Sequence, residues 1–167
     1  FIDSSINVIT IHTAQDVCKD GNADTLVDLF NIKNPKVFAQ TVGKYGAGRY
    51  GTIDMVSPLE LKKLIENKLN TKLIRTNEYF ENLADISHIA VLPGSGTQFM
   101  EEILDITQVF ITGDISHRYL LKADEEKMGL IQIGHISSEI PGMRKFVEKF
   151  NKFMELEINY VYKDFYE

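Results

Sequence analysis

The stretch that decides the fold is residues 108–139, which read QVFITGDISHRYLLKADEEKMGLIQIGHISSE. Gln108–Thr112 and Leu130–Gly134 are short, apolar and rich in β-branched residues, which predicts two buried strands. The segment between them, His117–Lys127, is predicted to be a helix. A strand, a loop, a helix and a second strand in this order are typical of a layered α/β fold.

The same alternation continues on both sides of this stretch, and we predict a layered mixed sheet with flanking helices. Further strands are predicted at Ile6–Ile11, Val37–Val42, Lys72–Thr76, His88–Leu92 and Ile158–Tyr162. Further helices are predicted from Asn22 or Asp24 to Asn31, from the capping box Ser57–Glu60 onward, at Thr97–Leu104, and at Gly142–Leu156 with Phe146, Val147, Phe150 and Phe153 inward. Asn34–Pro35 is expected to stop the first of these helices, and the glycine-rich Gly43–Gly51 to form a tight, exposed backbone path.

Composition and charge restrict the class of protein. The chain has 167 residues, of which 44% are hydrophobic and 25% charged, as in a globular protein with a buried core. No apolar run approaches the roughly 18 residues of a membrane span, and Cys18, the single cysteine, excludes an internal disulfide. We therefore expect a cytoplasmic protein without membrane contact. The net charge of −6 argues against nucleic acid as a partner.

The first residue is Phe1, and a predicted buried strand follows it within a few positions. Because a domain seldom opens in this way, we expect that an N-terminal part precedes this chain.

Titratable side chains gather at the points where predicted strands end. They are His12 and Asp16 after the first strand, Asp114 and His117 after a central one, and His135 and Glu139 after the next. Because ligands of α/β folds bind at the carboxyl ends of the strands, we expect these side chains to share one edge of the sheet.

His135 and Glu139 are four residues apart, which on a helix places their Cβ atoms about 5–6 Å apart on one face. That spacing suits two ligands of one metal ion, and it equally suits a surface ion pair or a helix cap. Pro141 makes the local helix geometry irregular.

The other candidates also have structural alternatives. Asp114 and His117 are suited to proton transfer or to orienting a ligand, whereas Asp114 alone suits a helix cap. His12 is otherwise a hydrogen-bonded structural histidine, and Asp16 a turn residue. The run Gly94, Ser95 and Gly96 forms either an anion cradle of backbone N–H groups or a tight turn from strand to helix.

Five segments in this order resemble a known family. They are His12–Asp16, Gly46–Gly51, Gly94–Gly96, Gly113–His117 and Gly134–Glu139. They resemble the His-Thr-x-x-Asp, Gly-x-Gly-Arg-x-Gly and Gly-Ser-Gly segments, and the paired C-terminal signature, of the Nif-three (Ngg-one-interacting-factor-three) family. That family is also called the GTP cyclohydrolase I type 2 homologues. The chain resembles its C-terminal two-thirds.

The resemblance implies a two-lobed α/β protein, assembled into a homohexameric ring, with two divalent metal ions in the cleft between the lobes. It implies that Asp16, His135 and Glu139 are metal ligands and that His12, Asp114 and His117 occupy neighbouring, catalytic cleft positions. Gly94, Ser95 and Gly96 then fall on a phosphate or nucleotide cradle. Zinc, manganese or iron would suit such ligands. Residues 1–36 would belong to the first lobe and residues 37–167 to the second.

The resemblance leaves two functional hypotheses. The first is a dinuclear metal-dependent hydrolase that acts on a nucleotide or phosphoester, as the cyclohydrolase name suggests. The second is a non-catalytic, ring-forming metal-binding scaffold or regulatory interaction protein.

Overall fold

The structure, a computed structural model, describes residues 2–154. Six strands form one mixed sheet in the order β1-β2-β4-β5-β6-β3, in which β4, β5 and β6 run parallel and the other neighbours antiparallel. The strands are β1 (Lys33–Val42), β2 (Tyr45–Val56), β3 (Arg75–Thr76), β4 (Ile86–Ser95), β5 (Val109–Asp114) and β6 (Gly129–Gln132). The helices are α1 (His12–Val17), α2 (Asn22–Leu29), α3 (Pro58–Leu69), α4 (Glu78–Glu81), α5 (His117–Glu125) and α6 (His135–Met154), with 3-10 helices at Ile2–Ser4 and Thr97–Glu102. The predicted mixed α/β sheet with flanking helices is confirmed.

The central strands are buried on both faces, and their side chains alternate between two cores. On one face of the sheet, Ile89 and Val91 pack with α2 and α3. On the other face, Ala90 and Leu92 pack with α5 and with the 3-10 helix Thr97–Glu102. This double burial explains why the strands are apolar at nearly every position. No helix within residues 2–154 is long and apolar enough to cross a bilayer.

The predicted capping box at the start of α3 is confirmed. Ser57 accepts a hydrogen bond from the backbone N–H of Glu60 at 3.3 Å, and the Glu60 carboxylate accepts one from the Ser57 N–H at 2.8 Å. Two N–H groups that a helix start leaves without partners are thereby satisfied.

The start of the chain differs from the prediction. Ile6–Ile11 is not a buried strand: it has no regular structure, and Ile9 is 86% exposed. The adjoining residues His12–Asp16 form most of helix α1, so Asp16 is not a turn residue. A β-branched run forms a strand only when a neighbouring strand completes its ladder, and none of the described strands pairs with it.

The segments around α2 also correct the prediction. Neither Asn22 nor Asp24 caps this helix; Gly21 is its N-cap, without a side-chain hydrogen bond. The helix ends at Leu29, and Asn34–Pro35 lies within β1 instead of stopping it. The predicted division between residues 36 and 37 falls inside the same strand, and the assignment to two lobes stays a prediction.

Most of the glycine-rich segment is strand, not loop. Only its first two residues form the turn between β1 and β2, and Tyr45–Val56 is paired on both sides. Gly48 is required by packing, since a Cβ there would lie 2.1 Å from the ring of Phe38.

The last helix begins earlier than predicted, at His135 instead of Gly142, and it contains Pro141. Two of its four phenylalanine and valine positions were wrongly expected to face inward: Phe150 is 40% and Phe153 81% exposed. The buried residues of α6 all lie in its first half, where it packs on α2. The predicted strand Ile158–Tyr162 lies outside the described residues.

Candidate functional site

A cavity of about 310 Å³ lies at the carboxyl end of β4, beside the start of α6. Its lining includes six of the predicted site residues: His12, Asp16, Gly94, Ser95, His135 and Glu139. Residues from three separate elements, α1, β4 and α6, therefore meet at the edge of the sheet where they were predicted to lie.

His135 is held between two carboxylates. Its Nδ1 donates to Asp114 Oδ2 at 2.5 Å, and its Nε2 lies 3.2 Å from Glu139 Oε1. Burial lowers the pKa of the imidazole, but the hydrogen bond to Asp114 and the charges of Glu139, Asp114 and Asp16 outweigh burial and raise it. The i, i+4 pair forms because α6 begins at His135, so both side chains project from one face of its first turns.

Glu139 is the more buried of these two side chains, with 31% of it exposed against 44% for His135. Burial raises the pKa of the Glu139 carboxyl; His135 and His12 lower it, and the negative charges of Asp16 and Asp114 raise it further. The carboxylates and imidazoles of this cavity therefore act on one another electrostatically, which is common at functional sites.

Asp16 is positioned by a residue that sequence reasoning missed. The side-chain amide of Asn22, which is only 2% exposed, donates to Asp16 Oδ1 at 2.8 Å. Asn22 in turn packs against Gly142 of α6, where an added Cβ would lie 2.2 Å from Asn22 Oδ1. The sequence shows Asn22 only as a candidate cap, because its contact with Asp16 depends on how α2 docks on α6.

The glycine run is less available to an anion than predicted. Gly94 and Ser95 end β4, and Gly96 is the N-cap of a 3-10 helix. The N–H of Gly94 donates to Ser138 Oγ at 2.8 Å, so this group is already occupied. The cradle stays a prediction, and it would use the two following residues.

The three predicted catalytic residues are dispersed. Asp114 is at the end of β5 and contacts His135, while the N-cap of α5 is Ser116, so Asp114 does not cap that helix. His12 begins α1 and lines the cavity, with its Nδ1 3.0 Å from Thr13 Oγ1. His117 is exposed at the start of α5 and is not part of the lining. Their catalytic roles stay predictions.

The family follows from comparison with known sequences. The sequence model of Duf34/NIF3 (NGG1p interacting factor 3) matches residues 1–164. The chain belongs to the Duf34/NIF3 family. The resemblance carried by the five ordered segments is thereby confirmed.

The curated relatives of this NIF3 chain are longer than it is. A GTP cyclohydrolase 1 type 2 homolog of Methanocaldococcus jannaschii is 29% identical over 161 residues, covering 94% of this chain and 62% of that protein. One of Clostridium perfringens is 27% identical over 165 residues, with 96% and 62% covered. The chain thus spans less than two-thirds of the length of these relatives.

Solved structures of similar proteins agree in fold. Reduced HcgD from Methanocaldococcus jannaschii superposes with a TM-score of 0.80 at 26% identity, covering 93% of this chain and 61% of that one. A Bacillus cereus protein related to NIF3 gives 0.83 at 13% identity, with 99% and 74% covered, which shows the fold alone.

The donor types of the NIF3 cavity suit a divalent metal. Imidazole and carboxylate are ligands of zinc, manganese and iron. Gly94, with φ of +68°, leaves room beside them, because a Cβ there would lie 2.8 Å from Glu139 Oε1 and 3.2 Å from His135 Nε2. Within residues 2–154, however, no three His, Cys, Asp or Glu side chains are grouped closely enough to hold an ion as they stand. The types of donor atom therefore fit a divalent ion, but in the described residues these atoms do not converge on one point.

Proposed function

We propose that this chain binds a divalent metal ion through His135, Glu139 and Asp16 and takes part in metal-dependent hydrolysis of a nucleotide or phosphoester. The observation that carries the proposal is the pair on α6, with His135 Nε2 and Glu139 Oε1 only 3.2 Å apart in the cavity that Asp16 also lines. The hydrolytic part rests on the family name borne by the relatives.

The side chains around the proposed ligands support this assignment. Asp114 engages Nδ1 of His135 and so leaves Nε2 as the nitrogen for a ligand, as carboxylates do for metal-binding histidines. Asn22 fixes one oxygen of Asp16 in the same manner. A bound divalent ion would supply Lewis-acid stabilisation and a water of lowered pKa. His12, exposed at the rim, is placed to accept or return a proton.

Metal content tests the first part of the proposal. Gel-filtered protein, prepared without added metal, is analysed by inductively coupled plasma mass spectrometry and then titrated with Zn²⁺, Mn²⁺ and Fe²⁺ under anaerobic conditions. We expect stoichiometric metal or saturable uptake. Protein that is metal-free and takes up none of the three ions at millimolar concentration would contradict the proposal. Whether one or two ions bind is read from the same titration.

Hydrolysis is tested separately on the metal-loaded protein. GTP and p-nitrophenyl phosphate are incubated with protein that has been loaded or treated with a chelator. We expect turnover that depends on the metal. If the metal-loaded protein hydrolyses neither compound nor other nucleotides, the hydrolase proposal is contradicted, and the metal-binding proposal is unaffected.

A ring-forming scaffold is kept as the second candidate function because, in the sheet that residues 2–154 form, one long strand lies at the edge. β1 is a ten-residue edge strand on which Val37 and Val42 are exposed, and such an edge is a template for pairing with another chain. Light scattering coupled to size-exclusion chromatography is expected to show a homo-oligomer, with a hexamer as the predicted size. Monomers at all concentrations would exclude this candidate.

Asn22→Ala is expected to weaken metal binding. The substitution removes the amide that holds Asp16, and loss of such an outer partner typically lowers metal affinity about 10–100-fold. Isothermal titration with Zn²⁺ measures the change. Thr25→Val is the matched control: Thr25 is buried on the same helix and donates to the Gly21 carbonyl at 2.8 Å. If both variants bind zinc as the unaltered protein does, Asn22 does not position a ligand.

A further inference from the structure

A second cavity, of about 430 Å³, lies at the other end of β4 from the candidate metal site. Six of the residues that line it are Lys33, Lys36, Tyr50, Thr52, His88 and Ile106. His88 and Gly94 are six residues apart on one strand, which separates the two cavities by about 20 Å. None of the predicted site residues contributes to this second cavity.

A β-bulge in β1 builds one wall of the cavity. Lys33 pairs with Thr52 and Lys36 with Tyr50, so the two residues 34–35 lie opposite a single residue of β2. In a regular strand, side chains three positions apart point to opposite faces. The bulge adds one residue and thereby brings both lysines to the same face of the sheet.

The local sequence is suited to this irregularity. Asn34 has φ of +51°, a left-handed conformation that asparagine tolerates better than most residues. Pro35 has no N–H to lose from the ladder. Opposite them, Gly51 allows close approach, since a Cβ there would lie 2.5 Å from the Lys33 carbonyl oxygen. Bulges of this kind often redirect side chains next to functional sites.

Cross-strand pairing extends the same face to β4. Thr52 pairs with His88 on its other side, and Tyr50 with Ala90. Paired residues of antiparallel strands project from the same face. Hence Lys33, Thr52 and His88 form one row across three strands.

The lining of this cavity has more basic than acidic side chains, although the whole chain is acidic. The chain carries a net charge of −6, yet two lysines and one histidine line the cavity against one acid, Asp105. Lys33 already pairs with Asp54 at 2.5 Å. Lys36 has no ion pair within residues 2–154. It is therefore the cation with its charge available to a ligand.

The remaining lining is largely apolar. Ile106, 46% exposed, and the ring of Tyr50 provide surfaces for a hydrophobic or aromatic group. His88 Nδ1 lies 2.9 Å from Ser87 Oγ, so its Nε2 is the ring nitrogen without a described protein partner. Concave apolar sites with a few polar groups are the usual form of small-molecule sites.

We propose that this cavity binds a small aromatic anion, with its acidic group at Lys36 and His88 and its ring against Tyr50 and Ile106. The proposal does not depend on metal binding, because the two sites share no residue. The ligand class follows from the combination of an available cation with an apolar wall. A bare inorganic anion would use only the cation, Lys36, and a neutral aromatic compound would use only the apolar wall of Tyr50 and Ile106.

Binding of 2-naphthalenesulfonate to the full chain tests the proposal. Saturable binding is expected with a Kd of about 1 mM or tighter, followed by amide chemical shifts in NMR spectra. The largest shifts should fall at Gly51 and Ile106. Inorganic sulfate and 2-naphthalenemethanol, which each lack one half of the probe, should bind at least about 10-fold more weakly.

Lys36→Ala supplies the decisive variant. Its side chain is on the surface, so the fold is retained, and loss of a charged hydrogen-bond partner is expected to raise the Kd about 10-fold. Lys44→Ala, in the turn of the same hairpin and outside the cavity, should bind as the unaltered protein does. Equal Kd values for Lys36→Ala and the unaltered protein, equal binding of the neutral alcohol, or shifts centred on Gly94 would each overturn the proposal.

Discussion

Replacing His135 with alanine is expected to lower metal affinity by more than about 100-fold. The substitution removes the proposed nitrogen ligand outright, whereas loss of a residue that merely supports a ligand typically lowers affinity about 10–100-fold. It also leaves Asp114 and Glu139 without the imidazole that now separates their charges. Titration of chelator-treated protein with Zn²⁺ measures the effect, and any metal-dependent turnover should disappear with it.

The control for this variant is His88→Ala. His88 is an exposed histidine on β4, and it lies outside the candidate metal site. Its removal should leave zinc affinity unchanged. Circular dichroism should show both variants folded, because the His135 side chain is 44% exposed and its removal creates no deep void. If the His135→Ala variant binds zinc with unaltered affinity, the assignment of His135 as a ligand is contradicted.

The central strands were predictable because their burial does not depend on fine detail. Residues of β4, β5 and β6 are apolar on both faces, and such runs form strands inside a layered sheet. Ile6–Ile11 has a similar composition but was wrongly assigned, because it lacks a neighbouring strand among the described elements. Composition specifies which segments can pair, and tertiary structure decides which of them do.

The same distinction applies to the candidate site. His135 and Glu139 were found from their spacing, since a helix brings residues four apart together by local geometry alone. Asp114 was predicted either as a cleft residue for proton transfer or as a helix cap, and its contact with His135 was missed because the two residues lie 21 positions apart on different elements. The contact between Asn22 and Asp16 was missed for the same reason, because it requires α2 to be docked. Candidate ligands that are close in sequence can be predicted from their spacing, whereas the residues that support them come from distant segments and require the folded structure.

Arg49→Ala is expected to destabilise the fold by about 3–5 kcal/mol, the range for breaking a buried ion pair from one side. The guanidinium is almost fully buried, and its Nε donates to Asp24 Oδ1 at 2.7 Å. Its Nη1 also donates to the carbonyls of Gly46 and Gly48 at 2.7 and 2.9 Å. The substitution would remove this donor from two carbonyl groups and from Asp24 Oδ1, leaving, among the described residues, only the Asp20 N–H on the carboxylate, and it would break this link between the β1–β2 hairpin and α2.

Lys145→Ala is the matched control, because Lys145, on α6, also pairs with an aspartate of α2. Lys145 pairs with Asp28 of α2 at 3.0 Å, but 32% and 68% of the two side chains are exposed, so its loss should cost only about 0.2–1 kcal/mol. Urea unfolding followed by circular dichroism measures both variants. Arg49→Lys should recover part of the loss, because an ammonium keeps the charge without the planar fork that reaches three acceptors.

The Arg49 comparison also bears on the site. Asp24, which Arg49 holds, lies two residues after Asn22 on α2, and Asn22 holds Asp16. If the hairpin anchors α2, Arg49→Ala should weaken zinc binding as well as stability, while Lys145→Ala changes neither by much. Equal destabilisation by Arg49→Ala and Lys145→Ala would show that burial adds nothing to the Asp24 pair, and the role of Arg49 as the anchor between the hairpin and α2 would then be rejected.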